Sequence, residues 1–120
     1  MKEKNFETIV KKYLRSIDAY YFKVWGGGFQ QAGIPDVIAC KNGLFIAIEL
    51  KGKNGRPSEL QKYNIKKINE SGGIGIILYP EGFEEFKNLM SEVMKCNSHI
   101  QGLEHLKTAN TSSNCIILKN

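Results

Sequence analysis

Residues 33–51, GIPDVIACKNGLFIAIELK, decide the fold. Two apolar runs, Val37 to Cys40 and Leu44 to Lys51, flank Asn42-Gly43, and Asn-Gly between such runs is a strong hairpin signal. The second run is apolar on both faces, with Leu44, Ile46, Ile48 and Leu50 on one and Phe45 and Ala47 on the other. A strand buried on both sides belongs in the middle of a sheet covered by helices. An α/β fold with a mixed central sheet is therefore expected.

The flanking sequence supplies the other layers. Residues 4–17 read as a helix, with Phe6, Ile9, Val10, Tyr13, Leu14 and Ile17 at helical spacing. Residues 20–25, rich in aromatic and β-branched side chains, read as a strand that Gly26-Gly27-Gly28 ends. A second helix over 58–71 closes at Gly72-Gly73, a strand over 74–79 stops at Pro80, and a third helix covers 82–95. The order is α-β-β-β-α-β-α. Residues 1–96 are read as one domain and 97–120 as a C-terminal extension packed on it, with Cys115 to Leu118 a candidate edge strand.

Composition narrows the function. With 42% hydrophobic and 24% charged residues, the chain is an ordinary globule rather than a disordered one. No apolar run approaches a membrane span, and the N-terminus has no secretory pattern, so a cytoplasmic setting and no membrane partner are expected. Three widely spaced cysteines read as reduced thiols. Cys96, His99, His105 and Cys115 lack the paired spacing of a zinc site. The net charge of +5 is uneven: residues 1–67 carry +7 and the remainder −2. Clustered Lys and Arg suit a polyanion, which makes nucleic acid the natural partner.

That basic half holds an acidic corner. Glu49 and Lys51 continue the Phe45/Ala47 face and emerge together at a strand end. A hairpin through Asn42-Gly43 brings Asp36, at the start of the preceding strand, beside them. Two carboxylates at that distance suit Mg²⁺, with Mn²⁺ able to substitute, and the lysine would hold a phosphate or the attacking water. Glu-x-Lys alone carries little weight, because Glu85-Phe86-Lys87 repeats it on a helix. The upstream Pro35-Asp36, the hairpin and the apolar strand give it meaning.

Taken in order, Gly33-Ile34-Pro35-Asp36, Phe45 to Lys51, and Pro57-Ser58-Glu59-Leu60-Gln61 resemble the PD-(D/E)xK nuclease superfamily, and within it the VRR-NUC family of small virus-type nucleases. The resemblance runs from about Glu7 to Tyr79 and implies a restriction-endonuclease-like core, α-β-β-β-α-β. It implies that Asp36, Glu49 and the Leu50 carbonyl bind the metal, and that Lys51 is the catalytic lysine. It implies a further glutamate on the first helix, taken as Glu7, with Glu3 a competitor, and a catalytic role for Gln61. By its own pattern Ser58-x-x-Gln61 is also a capping box.

Gly27, Gly28, Gln30 and Gln31 form a loop suited to a phosphate backbone, and Lys53 and Arg56 are candidate phosphate contacts. Trp25 would stack on a base, although a large aromatic at a strand end is more often core. The resemblance implies hydrolysis of DNA to 5′-phosphate and 3′-hydroxyl ends, with no small-molecule cofactor. Small stand-alone members look like Holliday-junction resolvases, which act as homodimers in bacterial or phage-infected cells. The alternatives are a flap-trimming or restriction-type nuclease, or a non-catalytic nucleic-acid-binding module.

Overall fold

The computed structural model describes residues 1–25, 32–95, 111–112 and 115–118. Helix α1 spans Glu3–Ser16, β1 Tyr20–Lys23, β2 Val37–Lys41, β3 Leu44–Leu50, α2 Glu59–Glu70, β4 Ile74–Leu78, α3 Phe83–Lys95, β5 Thr111–Ser112 and β6 Cys115–Leu118. The strands form one sheet in the order β1-β2-β3-β4-β6-β5. Strands β1, β2 and β3 are antiparallel neighbours, β3-β4 and β4-β6 are parallel, and β5 returns antiparallel on β6. This mixed sheet flanked by helices is the expected α/β architecture. None of the described helices is long and apolar enough to cross a membrane.

The hairpin forms where the sequence places it. Asn42 and Gly43 both have positive φ, 52° and 78°, as a two-residue type I′ turn requires. The register then follows, with Lys41 opposite Leu44 and Val37 opposite Ile48. Helix α1 ends in a Schellman arrangement: Ala19 N–H reaches the Leu14 carbonyl, Asp18 N–H reaches that of Arg15, and Asp18 sits at φ 59°. These bonds turn the chain back into β1 within three residues.

The two faces of the sheet differ. Phe6, Val10 and Leu14 of α1 and Phe86, Leu89, Met90 and Val93 of α3 pack on Val37, Ala39, Ile46, Ile48, Leu50, Ile76 and Leu78 in one core. Helix α2 lies on the opposite face, where a small core joins Ile65 to Ile77 and Tyr79. Asn69 fixes the end of α2: its amide donates to the Ile65 and Gly75 carbonyls and accepts from Gly75 N–H.

Three expectations need correction. Strand β3 is not buried throughout, since Phe45 is 49% exposed; α2 packs toward β4 and β6 and leaves the β1–β2 half of its face open. Strand β1 ends at Lys23, two residues early, and Trp25 is 76% exposed rather than core. Strand β6 is not an edge: it pairs parallel with β4, and β5 lies outside it. A parallel partner beyond a crossover has no local signal, so the sequence could not place it.

Candidate active site

The site is built by register. Because Val37 faces Ile48, Asp36 falls opposite Glu49, on the face that carries α2. The entry to β2 is locked by Gly33, whose φ of +81° suits glycine and whose added Cβ would lie 2.7 Å from Leu60 Cγ. The Asn64 amide donates to the Gly33 carbonyl at 3.0 Å, tying this turn to α2. Asp36 Oδ2 then accepts the Leu50 N–H at 2.9 Å, which pins the aspartate to the end of β3.

Glu49 is only 3% exposed. Its Oε2 accepts from Gln61 Nε2 at 2.9 Å and pairs with Lys51 Nζ at 3.3 Å. Its Oε1 is buried with no hydrogen-bond donor. Asp36 is within hydrogen-bonding reach of the Glu49 carboxyl, but that contact closes only when one of the two acids holds a proton. Burial first, and the Asp36 charge second, push the Glu49 carboxyl up to about 8, against the opposing pull of Lys51.

Gln61 makes two uses of one amide. Its Oε1 accepts from Ser58 N–H at 2.8 Å, and its backbone N–H donates to Ser58 Oγ at 3.1 Å, completing the capping box of α2. Its Nε2 is thereby aimed at Glu49. The first turn of α2 thus supports the acid from behind.

The two glutamates of α1 go to different places. Glu7 pairs with Lys23, and with Lys11 at 3.3 Å. Burial works against its charge, but the hydrogen bonds from the two lysines outweigh it and hold its carboxyl below the usual range. Glu3 lies at the helix start, which packs against Gly52 just after β3. Burial and then the Asp36 charge raise its carboxyl, with Lys51 and Lys23 opposing. The structure therefore brings Glu3 into the field of Asp36 and Lys51 and gives Glu7 to Lys23.

Lys53 and Arg56 are exposed on the loop after β3. That loop is anchored by Tyr79, whose hydroxyl donates to the Gly55 carbonyl at 2.8 Å. Gly27, Gly28, Gln30 and Gln31 lie outside the described residues, as do Cys96, His99 and His105. Sequence reading missed Lys23. It faces Glu7, whose hydrogen bond raises its ammonium above the ordinary lysine range, and the charge of Asp36 adds to that rise. Its place in β1 opposite Val37, one step from Asp36, was the signal available.

Among the described residues, no three His, Cys, Asp or Glu side chains gather closely enough to hold a metal ion by themselves. The fit is instead that of an ion bound by one or two carboxylates with most of its shell left to water and phosphate, as Mg²⁺ prefers. The donor-less Oε1 of a Glu49 carboxyl that interacts with the Asp36 carboxyl is the observation that fits. A positive charge there would satisfy both acids at once.

A mixed sheet with an acid pair and a lysine at the end of its central strands defines a restriction-endonuclease-like core. Residues 4–73 match the family model of the archaeal Holliday junction resolvase (Hjc), and the chain belongs to that family. The family implies a nuclease, a hydrolase acting on DNA. The match supports a resolvase-type nuclease and not the VRR-NUC family in particular. No curated protein and no solved structure matches the chain.

Proposed function

We propose that the protein is a divalent-metal-dependent endonuclease that resolves four-way DNA junctions, with VRR-NUC-like spacing of its motifs. The buried Glu49 carboxylate carries this reading, with one oxygen lacking a donor and Asp36 opposite. Asp36, Glu49 and the Leu50 carbonyl would hold Mg²⁺ or Mn²⁺. Such an ion supplies a Lewis acid for the scissile phosphate and lowers the pKa of water.

The chain's own groups do the rest. Lys51 is held by Glu49 at the mouth of the site, where its ammonium can position water or balance charge developing on phosphate. Gln61 donates to Glu49 Oε2 and so fixes the orientation of that carboxylate. Lys53 and Arg56 stand exposed beside Lys51, where they would meet flanking phosphates, and Glu7 would act by holding Lys23 at the edge of the site. Resolution needs two opposed cuts, so a two-fold homodimer follows.

The test is cleavage of a panel of four-way junctions, flaps and linear duplex with Mg²⁺, Mn²⁺ or chelator. Asp36→Ala and Lys51→Ala should each abolish nicking while DNA still binds. Mg²⁺ should raise the Tm of the wild type but not of Asp36→Ala. A wild type that cuts none of these substrates with either ion would refute the reading.

A further inference from the structure

Trp25 is the only tryptophan of the chain, and three-quarters of it is bare. Burial in the core, the ordinary explanation for such a residue, does not apply. Its position is specific. Val24 N–H donates to the Asp36 carbonyl at 2.8 Å, so Trp25 stands one residue beyond the backbone partner of a candidate metal ligand. Side chains two apart on an extended segment share a face, and Lys23 lies 5.7 Å over the indole centroid. Lys23 is itself held by Glu7. One face of the ring is therefore backed by an anchored cation, while about three-quarters of the residue remains exposed.

An exposed indole backed by an ammonium is a stacking platform for a flat, electron-rich ring with a phosphate nearby. We propose that Trp25 stacks on a nucleobase that has lost its stacking neighbour at the branch point of the DNA, while Lys23 faces the adjoining phosphate. Fully stacked duplex offers no such base, so this contact selects branched over linear DNA. The proposal rests on the junction-nuclease reading and adds the device that recognises the branch.

Because Trp25 is the sole tryptophan, tryptophan emission reports the surroundings of this one ring. The experiment titrates the protein, in chelator so that no cleavage occurs, with a synthetic four-way junction, a single-stranded oligonucleotide and a blunt duplex. Binding is followed independently by anisotropy of labelled DNA. Emission should be quenched by junction and single strand, and much less by duplex at equal occupancy. Trp25→Ala should weaken junction binding roughly tenfold to hundredfold and reduce the preference over duplex, with Trp25→Phe recovering part of both. Junction binding without quenching, and unchanged in Trp25→Ala, would overturn the proposal and leave the nuclease reading standing. Absence of binding to any DNA would overturn both. A change of emission that follows protein concentration without DNA would assign the ring to self-association and equally overturn it.

Discussion

The two faces of this sheet are built from the same strands and do opposite things. Against α1 and α3, every inward side chain of β3 is a buried aliphatic: Leu44, Ile46, Ile48 and Leu50. Against α2, the same strand offers exposed Phe45, small Ala47 and the buried, ionisable Glu49. The first face gains from burial at about 25 cal/mol per Å² of apolar surface. The second gives some of that up, because a buried carboxylate next to another is costly without a cation. Alternation along one strand lets stability and chemistry be assigned to different sides.

The largest effect in this comparison should come from Ile48→Ala. Ile48 is wholly buried in the α1/α3 core, beside the very residue that carries the site. Truncation leaves a cavity and should cost about 2–5 kcal/mol in denaturant unfolding. Glu49→Gln, one position along on the other face, should not destabilise the metal-free protein comparably. The carbonyl of the substituted amide can accept from Gln61 and Lys51 while its N–H donates to Asp36. A loss as large as that of Ile48→Ala would erase the distinction between the faces.

A pH series sharpens the same contrast. The Glu49 carboxyl titrates at about 8 in the folded protein against its ordinary value of 4.5. Between these values the folded chain holds a proton that the unfolded chain has released. Unfolding free energy therefore falls as pH rises from 4.5 to about 8, in proportion to the difference in bound protons. In chelator, the wild type should lose Tm across this window. The Glu49→Gln protein should show a shallower dependence there, with Glu3 contributing a smaller loss of the same sign. Equal slopes in the two proteins would remove Glu49 as the cause.

The split between the faces also explains what could be read in the sequence. The dry face announces itself, because Leu44, Ile46, Ile48 and Leu50 alternate and α1 repeats Phe6, Val10 and Leu14 at helical spacing. Asn42-Gly43 sets the register, and the register sets Asp36 opposite Glu49; that juxtaposition was legible from local chemistry. Contacts that depend on helix docking were not. Which glutamate of α1 approaches Asp36 depends on how the helix start meets Gly52, and both Glu3 and Glu7 satisfy the periodicity closely enough. The bare indole of Trp25 was equally hidden, because strand propensity alone extended β1 over it. Strand β6 is a long-range parallel pairing with no turn to report it.

The smallest effects lie at the first turn of α2, where helix cap and acid site meet in one side chain. Ser58→Ala removes the oxygen that accepts from Gln61 N–H and should cost about 1 kcal/mol, with little change in cleavage. Gln61→Ala removes the reciprocal half of the same capping box, so its stability cost should be similar. Gln61→Ala also takes from Glu49 the donor at 2.9 Å that favours its charged form. The Glu49 carboxyl then rises further, and cleavage should fall roughly tenfold to hundredfold, the usual loss when the partner of a ligating group is removed. Matched stability with unmatched activity would show that the amide acts on the carboxylate. Matched losses of both would show that it only caps the helix, and Glu49 would then be held by Lys51 alone.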